Sequence, residues 1–522
     1  MTTLLAFFRK ILRRLGMILF PSAFKTMSVS VKSSNTEVTV VETTGSIHTL
    51  DSLKEEVMRL FRYPCTMRRM VAMSAALRIQ YKAKLQESEA CMLPSYCHAL
   101  PNGKETGTYI SLDVGGSTLR IALVELHGRE AQNPMAIKTM ASFKIDEQIR
   151  RLPGTEFFDW MASRIQVTLE ERKDTWSPDE TLPLGLAWSF PIEQTSHRGG
   201  KVQGMGKGFA CAETTLGMDL GELIEAACAR KRLNVRVEAI VNDSSATLLS
   251  QAYLDPATSL ALILGTGTNA AAYLPTASMG KAKFGVREQS WFDKADRVIT
   301  NTEVSMFGKS ILLETRWDEL LNRQHQRPDF QPLEYMTTGR YLGELMRLIV
   351  VEAVETGELF DGVIPDALRE NYSLDTEIMA KLEMDTTKSM KNSIAMIKKA
   401  FGLKKTPSLK EVAFLRAAAE SISYRASAYM AVAVHGLWAL QKDSDINPTT
   451  PHGTPKTSIA CNGSVILKYP GFKDRCEGFI RQMIEAAALP GGTSSAEKVV
   501  LEPTNEAAIF GAAVAVALAD AP

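Results

Sequence analysis

The 522 residues carry 60 lysines and arginines against 59 aspartates and glutamates, and 45% of them are hydrophobic. A chain this long buries a large core and is expected to fold as two domains or lobes, while its near-zero net charge gives no overall field that would recruit nucleic acid. The seven cysteines (Cys65, Cys91, Cys97, Cys211, Cys228, Cys461 and Cys476) form no Cys-x-x-Cys and the seven histidines no His-Glu-x-x-His, so buried thiols of a reduced compartment are expected and a protein-held zinc is not.

In chain order, the first element is a basic amphipathic helix. In "MTTLLAFFRKILRRLGMILFPSAFK" the residues Leu4, Phe8, Ile11, Leu12, Leu15, Ile18 and Leu19 recur at helical spacing, with Arg9, Lys10, Arg13 and Arg14 opposite. No acidic residue precedes Glu37, and Ser28 to Asn35 is polar. Residues 1–49 therefore suit a mitochondrial presequence, or a helix touching a membrane surface through residues 4–20, followed by a linker; the alternative is a tail that meets no membrane. The arginines interrupt every apolar run short of the roughly 20 residues that span a bilayer. The remainder reads as cytoplasmic, with mitochondrial association through this helix.

From about Leu50 the pattern is globular. "SLKEEVMRLFRYP" and "MRRMVAMSAALRIQYKAKLQ" have helical periodicity. "GTYISLDVGGSTLRIALVEL" reads as strand, Gly-Gly turn and strand, with Leu119, Ile121, Leu123 and Glu125 on one face and smaller or charged partners between them. "EFFDWMASRIQVTLEER" is a helix, "PLGLAWSFPI" a buried strand, "VEAIVNDSSATLLSQAYL" strand, turn and helix, and "SLALILGTGTNAAAYL" strand, glycine turn and strand. Glu334 to Leu440 is mostly helical, and the loop "NPTTPHGTPKT" follows it. Strands alternating with helices predict an α/β protein.

Two glycine turns, "LDVGGST" and "LILGTGTN", directly follow apolar strands and add hydroxyl residues. Each reads either as a tight hairpin or as a phosphate-binding turn in which glycine lets amides and hydroxyls approach an anion. Neither is a P-loop or a dinucleotide fingerprint. Asp113, ahead of the first turn, is suited to hold magnesium through water, because hard cations favour carboxylate oxygen and keep their waters. "IVNDSSAT" ends a strand with Asn242 and Asp243; Asp243 either accepts the proton of a substrate hydroxyl or caps the helix that follows.

Taken together, "LDVGGSTLRI", "SFPIEQTS…GKGF", "VNDSSATLLSQAY", "LGTGTNAAAY", "NTEVSMFG", "LEYMTTGRYLGELMRLI" and "NGSVILKYPGF" resemble, in order, the motifs of the hexokinase family. The resemblance extends from about Leu50 to the C-terminus. It implies a two-lobed hexokinase/actin-like ATPase fold with a sugar and ATP cleft: a helical part of the large domain over 50–107, a small domain over 108–241, a large domain over 242–505, and a helix over 506–522 returning to the small domain. It further implies hexose and ATP as partners, with magnesium arriving on the nucleotide. A hexose would be held by Ser189, Lys207, Asn242, Asp243, Asn269, Glu303 and Glu334. Asp243 would be the base and Lys207 would neutralise developing charge. Asp113, Gly115, Gly116, Ser117, Thr118, Arg120, Gly265, Thr266, Gly267, Thr268, Asn462, Gly463 and Ser464 would line the nucleotide.

Departures from the family pattern fall around the base and in the nucleotide region, while the sugar-type carboxylates and amides are better retained. Ser117-Thr118 stands where the family has Thr-Asn, and Gly206 precedes Lys207 where it has threonine. Val304-Ser305-Met306 follows Glu303 where it has Trp-Gly-Ala. Cys461-Asn462-Gly463-Ser464 replaces Val-Asp-Gly-Ser, and Glu506-Ala507-Ala508-Ile509 replaces Asp-Gly-Ser-Gly. One lost donor at a reacting centre costs about 3 kcal/mol. Two readings result. The first is a hexose 6-kinase of attenuated activity. The second is a regulatory protein similar to the fungal hexokinase-like proteins that act with protein partners in carbon-starvation signalling and control of secreted hydrolases, proteases included. An actin-type or chaperone ATPase is disfavoured, since the sugar-type acids and amides would then have no purpose.

Overall fold

Thr49 starts the first helix: its hydroxyl oxygen accepts the Ser52 N–H at 3.2 Å, taking up one of the amides that a helix start leaves unpaired. The computed structural model describes residues 49–170, 180–205, 208–443, 456–487 and 497–519. The expected N-terminal helix and linker, together with Gly206 and Lys207, lie outside them.

The elements that position the site are, in order, α1 (Leu50–Arg62), α2 (Met67–Glu87), β1 (Leu93–Pro94), β2 (Thr106–Val114), β3 (Thr118–His127), β4 (Met135–Lys144) and α3 (Glu156–Glu170). Then come β5 (Leu182–Trp188), the hairpin β6 (Ile192–Gln194) and β7 (Gly200–Val202), α4 (Leu220–Arg230), β8 (Val235–Val241) and α5 (Asp243–Leu254). The chain continues with β9 (Thr258–Leu264), β10 (Thr268–Pro275), β11 (Arg297–Asn301), α6 (Pro332–Thr337), α7 (Gly339–Glu355) and α8 (Leu409–Lys442). It closes with β12 (Lys456–Asn462), α9 (Ser464–Lys468), α10 (Phe472–Ala487), β13 (Lys498–Pro503) and α11 (Ala507–Ala519). Among the described residues no helix is long and apolar enough to cross a membrane.

Two large sheets organise the α/β fold into two lobes. The smaller has the order β4-β3-β2-β5-β8 and the larger β1-β11-β10-β9-β12-β13. Within each, three neighbours run parallel: β2, β5 and β8 in one, β9, β12 and β13 in the other. The larger sheet packs against a helical layer built on α8, whose start is fixed by a reciprocal capping box between Ser408 and Glu411. In that layer Arg425 is fully buried and meets Asp318 through two bonds of 2.6 and 2.7 Å.

Leu119, Ile121 and Leu123 of β3 do share a face, packed with Phe157, Phe158 and Met161 of α3. The other face carries the charged Arg120 and the smaller Ala122 and Val124 between them, and Ala122, Val124 and Leu126 are buried in a separate core with α5 and α11. The strand has helices on both sides, so alternation is lost.

α5 and α11 form the layer between the sheets, and the core around them takes Ala122, Ala187 and Ala239 from one sheet and Ala261, Ala271 and Ala460 from the other. These small side chains allow close approach of helix to sheet. At the crossing of the two helices, a Cβ on Gly511 would lie 1.9 Å from the Ala246 carbonyl oxygen; only hydrogen fits. α11, "AAIFGAAVAVALA", is apolar on all sides because it is buried on nearly all sides. Six of the seven cysteines are buried and Cys65 half-buried, all as free thiols.

Candidate active site

Both sheets direct their parallel carboxyl ends toward residues expected to act. In the smaller sheet Val114 is in register with Trp188, and Ala187 with Val241. The first glycine turn, Ser189 and Asn242-Asp243 therefore leave adjacent strands at one level. In the larger sheet Ile263 is in register with Asn462, and Cys461 with Pro503, so Gly265, Gly463 and Thr504 do the same. Crevices outside such strand ends are where open α/β sheets take ligands.

Asn242, not Asp243, caps α5. Its side-chain oxygen accepts the Ser244 N–H at 2.9 Å and the Ser244 hydroxyl at 2.7 Å. Asp243 is the first helical residue, half-buried, and its Oδ1 also accepts the Ser244 N–H at 2.7 Å. The carboxylate thus sits at the positive end of a helix with its direction set by the backbone.

Asn269 begins the next link. Its side-chain nitrogen donates to the Asn301 side-chain oxygen at 3.0 Å and makes a longer 3.5 Å contact with that of Asn242. Asn301 in turn donates to Glu303 Oε1 at 2.9 Å, and its oxygen accepts the Glu303 N–H at 3.3 Å. Glu303 adopts a left-handed backbone conformation, φ 49° and ψ 49°, which costs a non-glycine residue on the order of 1 kcal/mol and aims the side chain out of the strand path. Burial raises its pKa above the ordinary carboxylate value, opposed by hydrogen bonds from Asn301 and Asn269.

The second glycine turn is closed by Gly265 N–H donating to the Gly267 carbonyl at 2.9 Å, and Thr266 is exposed at its tip. Thr268 uses its N–H on Glu334 Oε2 (3.1 Å) and its hydroxyl on the Ile263 carbonyl (2.9 Å). Glu334, on the short α6, is thereby tied to this turn. The Gly265 carbonyl accepts the Gly339 N–H at the head of α7, 2.9 Å. Gly463, with φ 112°, packs so closely that a Cβ would lie 2.3 Å from the Leu264 carbonyl oxygen, which holds Ser464 against Gly265. Asn462 donates to the Thr504 carbonyl at 3.0 Å.

In the first turn, Gly115 N–H donates to the Thr118 carbonyl at 3.1 Å and the Ser117 carbonyl accepts the Ile145 N–H at 2.8 Å. Gly116 lies between them. Arg120, paired in register with Asp113, donates to Asp113 Oδ2 from Nε (2.9 Å) and Nη2 (2.5 Å), and to Glu506 Oε2 at 2.5 Å. The Thr504 to Glu506 connection therefore joins Asn462 of the larger sheet to Arg120 of the smaller one. Ser189 N–H donates to the Val114 carbonyl at 3.3 Å, beside this turn. Lys207 lies outside the described residues, but its flanks Met205 and Phe209 are buried in the small-sheet core, Phe209 against Phe157 and Phe190 at 5.5 and 5.2 Å between ring centroids.

The tertiary structure adds Asn301 and Glu506 to the residues read from sequence. Asn301 opens the segment "NTEVSMFG", so a signal was present in its first position. Glu506 carried none as a partner of Arg120. Among the described residues no group of three or more histidine, cysteine, aspartate or glutamate side chains gathers to hold a metal.

Comparison with known proteins bears on this arrangement. Two hexokinase family models match consecutive parts of the chain, residues 55–253 and 259–518. Hexokinase-1 of Saccharomyces cerevisiae is 29% identical over 432 residues, 82% of this chain and 84% of its own length. Hexokinase-2 of Oryza sativa subsp. japonica is 29% identical over 449 residues, 85% of each. A solved hexokinase from Schistosoma mansoni complexed with glucose superposes with a TM-score of 0.74 at 26% identity, covering 90% of this chain and all of that one.

Proposed function

We propose, from the premise that this chain belongs to the hexokinase family and so to a family of hexose phosphotransferases, that it transfers the γ-phosphoryl group of ATP to the 6-hydroxyl of a glucose-type hexose at an attenuated rate. The observation that carries this reading is the placement of Asp243 at the head of α5, its Oδ1 fixed by Ser244, next to the Asn242, Asn269, Asn301 and Glu303 chain.

In this reading the amides and carboxylates of Asn242, Asn269, Glu303 and Glu334, with Ser189, receive the vicinal hydroxyls of the sugar. A buried site of this kind rejects analogues that leave a partner group unpaired. Asp243 takes the proton of the 6-hydroxyl as that oxygen forms its bond to the γ-phosphorus; the bond from phosphorus to the β-bridging oxygen breaks and ADP leaves. Lys207 and the two glycine turns neutralise the charge that develops on the transferring group. Magnesium bound to ATP would supply further neutralisation, and Asp113, a carboxylate beside the first glycine turn with Oδ2 bonded to Arg120, would hold it through water. Closure on the sugar excludes water as a competing acceptor.

Attenuation is supported on both the nucleotide side and the sugar side. Arg120 is shared by two carboxylates, the position before Lys207 is Gly206, and Ala507, Ala508 and Ile509 occupy the head of α11. The same observation favours a second reading, a hexose-responsive regulatory protein that binds sugar and transfers phosphate too slowly to matter, working through a protein partner in carbon-starvation control.

A coupled assay of the purified protein with glucose, fructose and mannose, with Asp243→Ala as control and sugar calorimetry alongside, separates the two. Turnover abolished by Asp243→Ala supports the kinase. Glucose binding without turnover supports the regulatory protein, and absence of both removes the hexose reading. Cytoplasmic location with mitochondrial association through residues 4–20 is tested by a fluorescent fusion of residues 1–30; diffuse signal removes the mitochondrial part.

A further inference from the structure

We infer that Asn301 is a positioning residue that fixes the donor and acceptor pattern Asn269 and Glu303 offer to the sugar. This rests on the hexose reading above. An asparagine amide can face either way; its neighbours decide which. Two groups at the ends of this chain have no such choice. The Glu303 carboxylate, when ionised, can only accept, so Asn301 must turn its N–H toward it (2.9 Å). Its oxygen then faces Asn269, which must present N–H in return (3.0 Å). At the other end the Ser244 backbone N–H can only donate, so Asn242 turns its oxygen toward the helix (2.9 Å), again leaving an acceptor for Asn269 (3.5 Å). The Asn269 amide thus has its nitrogen between two oxygens, and its own oxygen accepts the Ala270 N–H at 2.7 Å.

Asn301 is suited to this because its backbone is held from both sides. It is in register with Ala271 of β10 and with Leu93 of β1, and the next residue, Thr302, is bound to the Ala270 carbonyl through N–H and hydroxyl at 2.9 and 2.8 Å. Its bond to the Glu303 N–H also supports the left-handed turn from which that carboxylate projects. Asn301 need not touch the sugar to decide how well it is received.

The test uses full-length protein carrying Asn301→Asp, which keeps the shape but sets an oxygen against Glu303, and Asn301→Ala. Calorimetry with glucose and steady-state kinetics are read beside melting curves. The expected result is glucose binding weakened roughly tenfold to a hundredfold in both variants, the loss expected when a buried group is left unpaired, with KM for ATP within about twofold of wild type. Adding Asn301→Ala to Asn269→Ala is expected to weaken binding little further, because the two act as a unit. Unchanged glucose affinity overturns the assignment, as does a parallel loss of glucose and ATP affinity together with melting temperature. Wild-type protein that binds no glucose removes the hexose reading itself, and the assignment with it.

Discussion

Arg120 and Glu506, 386 positions apart, meet at 2.5 Å where the smaller sheet faces the start of α11. Asp113 holds the same guanidinium from the other side. One positive charge is therefore shared by two negative ones, and in the kinase reading proposed above Glu506 offsets the attraction that Arg120 would exert on a polyphosphate. Glu506→Gln removes one negative charge while keeping a hydrogen-bond acceptor. KM for ATP is expected to fall roughly threefold to tenfold, the scale of one partly exposed charge near a bound polyphosphate. The gain should shrink as salt is raised, and an unchanged KM at low salt would show that the carboxylate does not weaken nucleotide binding.

Asp243→Asn separates chemistry from architecture. The helix keeps its cap, because the capping residue is Asn242, so the melting temperature should stay within about 2 °C of wild type. The phosphoryl-transfer rate should drop roughly 10²–10⁴-fold, the worth of a positioned base. Asn242→Ala is expected to do the converse in stability, costing about 1 kcal/mol through the lost cap, read from denaturant midpoints.

Glu303 gives the site a pH dependence of known sign. Burial raises its pKa above 4.5, the ordinary value. In the window between that value and the raised one, the folded state holds a proton that the unfolded state has released, so stability falls as pH rises through the window. Above it the ionised, buried carboxylate is a continuing cost. Glu303→Gln is therefore expected to melt higher than wild type at pH 7 to 8, with the difference vanishing in acid. Glucose affinity should behave oppositely: wild type loses it on acidification at a pH above that of an ordinary glutamate, and the variant is weak at every pH.

Gly511→Ala places a methyl 1.9 Å from the Ala246 carbonyl oxygen, where backbone must move to admit it. Overpacking of this sort costs about 1–3 kcal/mol. Since α5 carries Asp243 at its head, the displaced helix should also lower turnover, and chemical denaturation together with the coupled assay should report both losses. A variant that is destabilised yet fully active would separate the helix crossing from the chemistry.

Much of this was legible in one dimension. The α/β alternation, the strand-turn-strand units around Gly115 and Gly265, and the strand-to-helix step at Asn242-Asp243 follow from local hydrophobic runs, glycine and capping chemistry, which act over a few residues. The ordered motifs gave the family. What local pattern left undetermined was direction and pairing. The capping of α5 by Asn242, with Asp243 as its first residue, depends on which side chain reaches the Ser244 amide. The apolar content of the second face of β3 depends on α5 and α11 arriving from far along the chain to cover it. The orientation of Asn269 depends on Asn301 and Glu303 across two strands, and the neutralisation of Arg120 on a glutamate near the C-terminus. Sequence alone determined which chemical groups were available; the long-range packing of two sheets around two central helices decided which of those groups face one another, because hydrogen bonds and charges act across space and not along the chain.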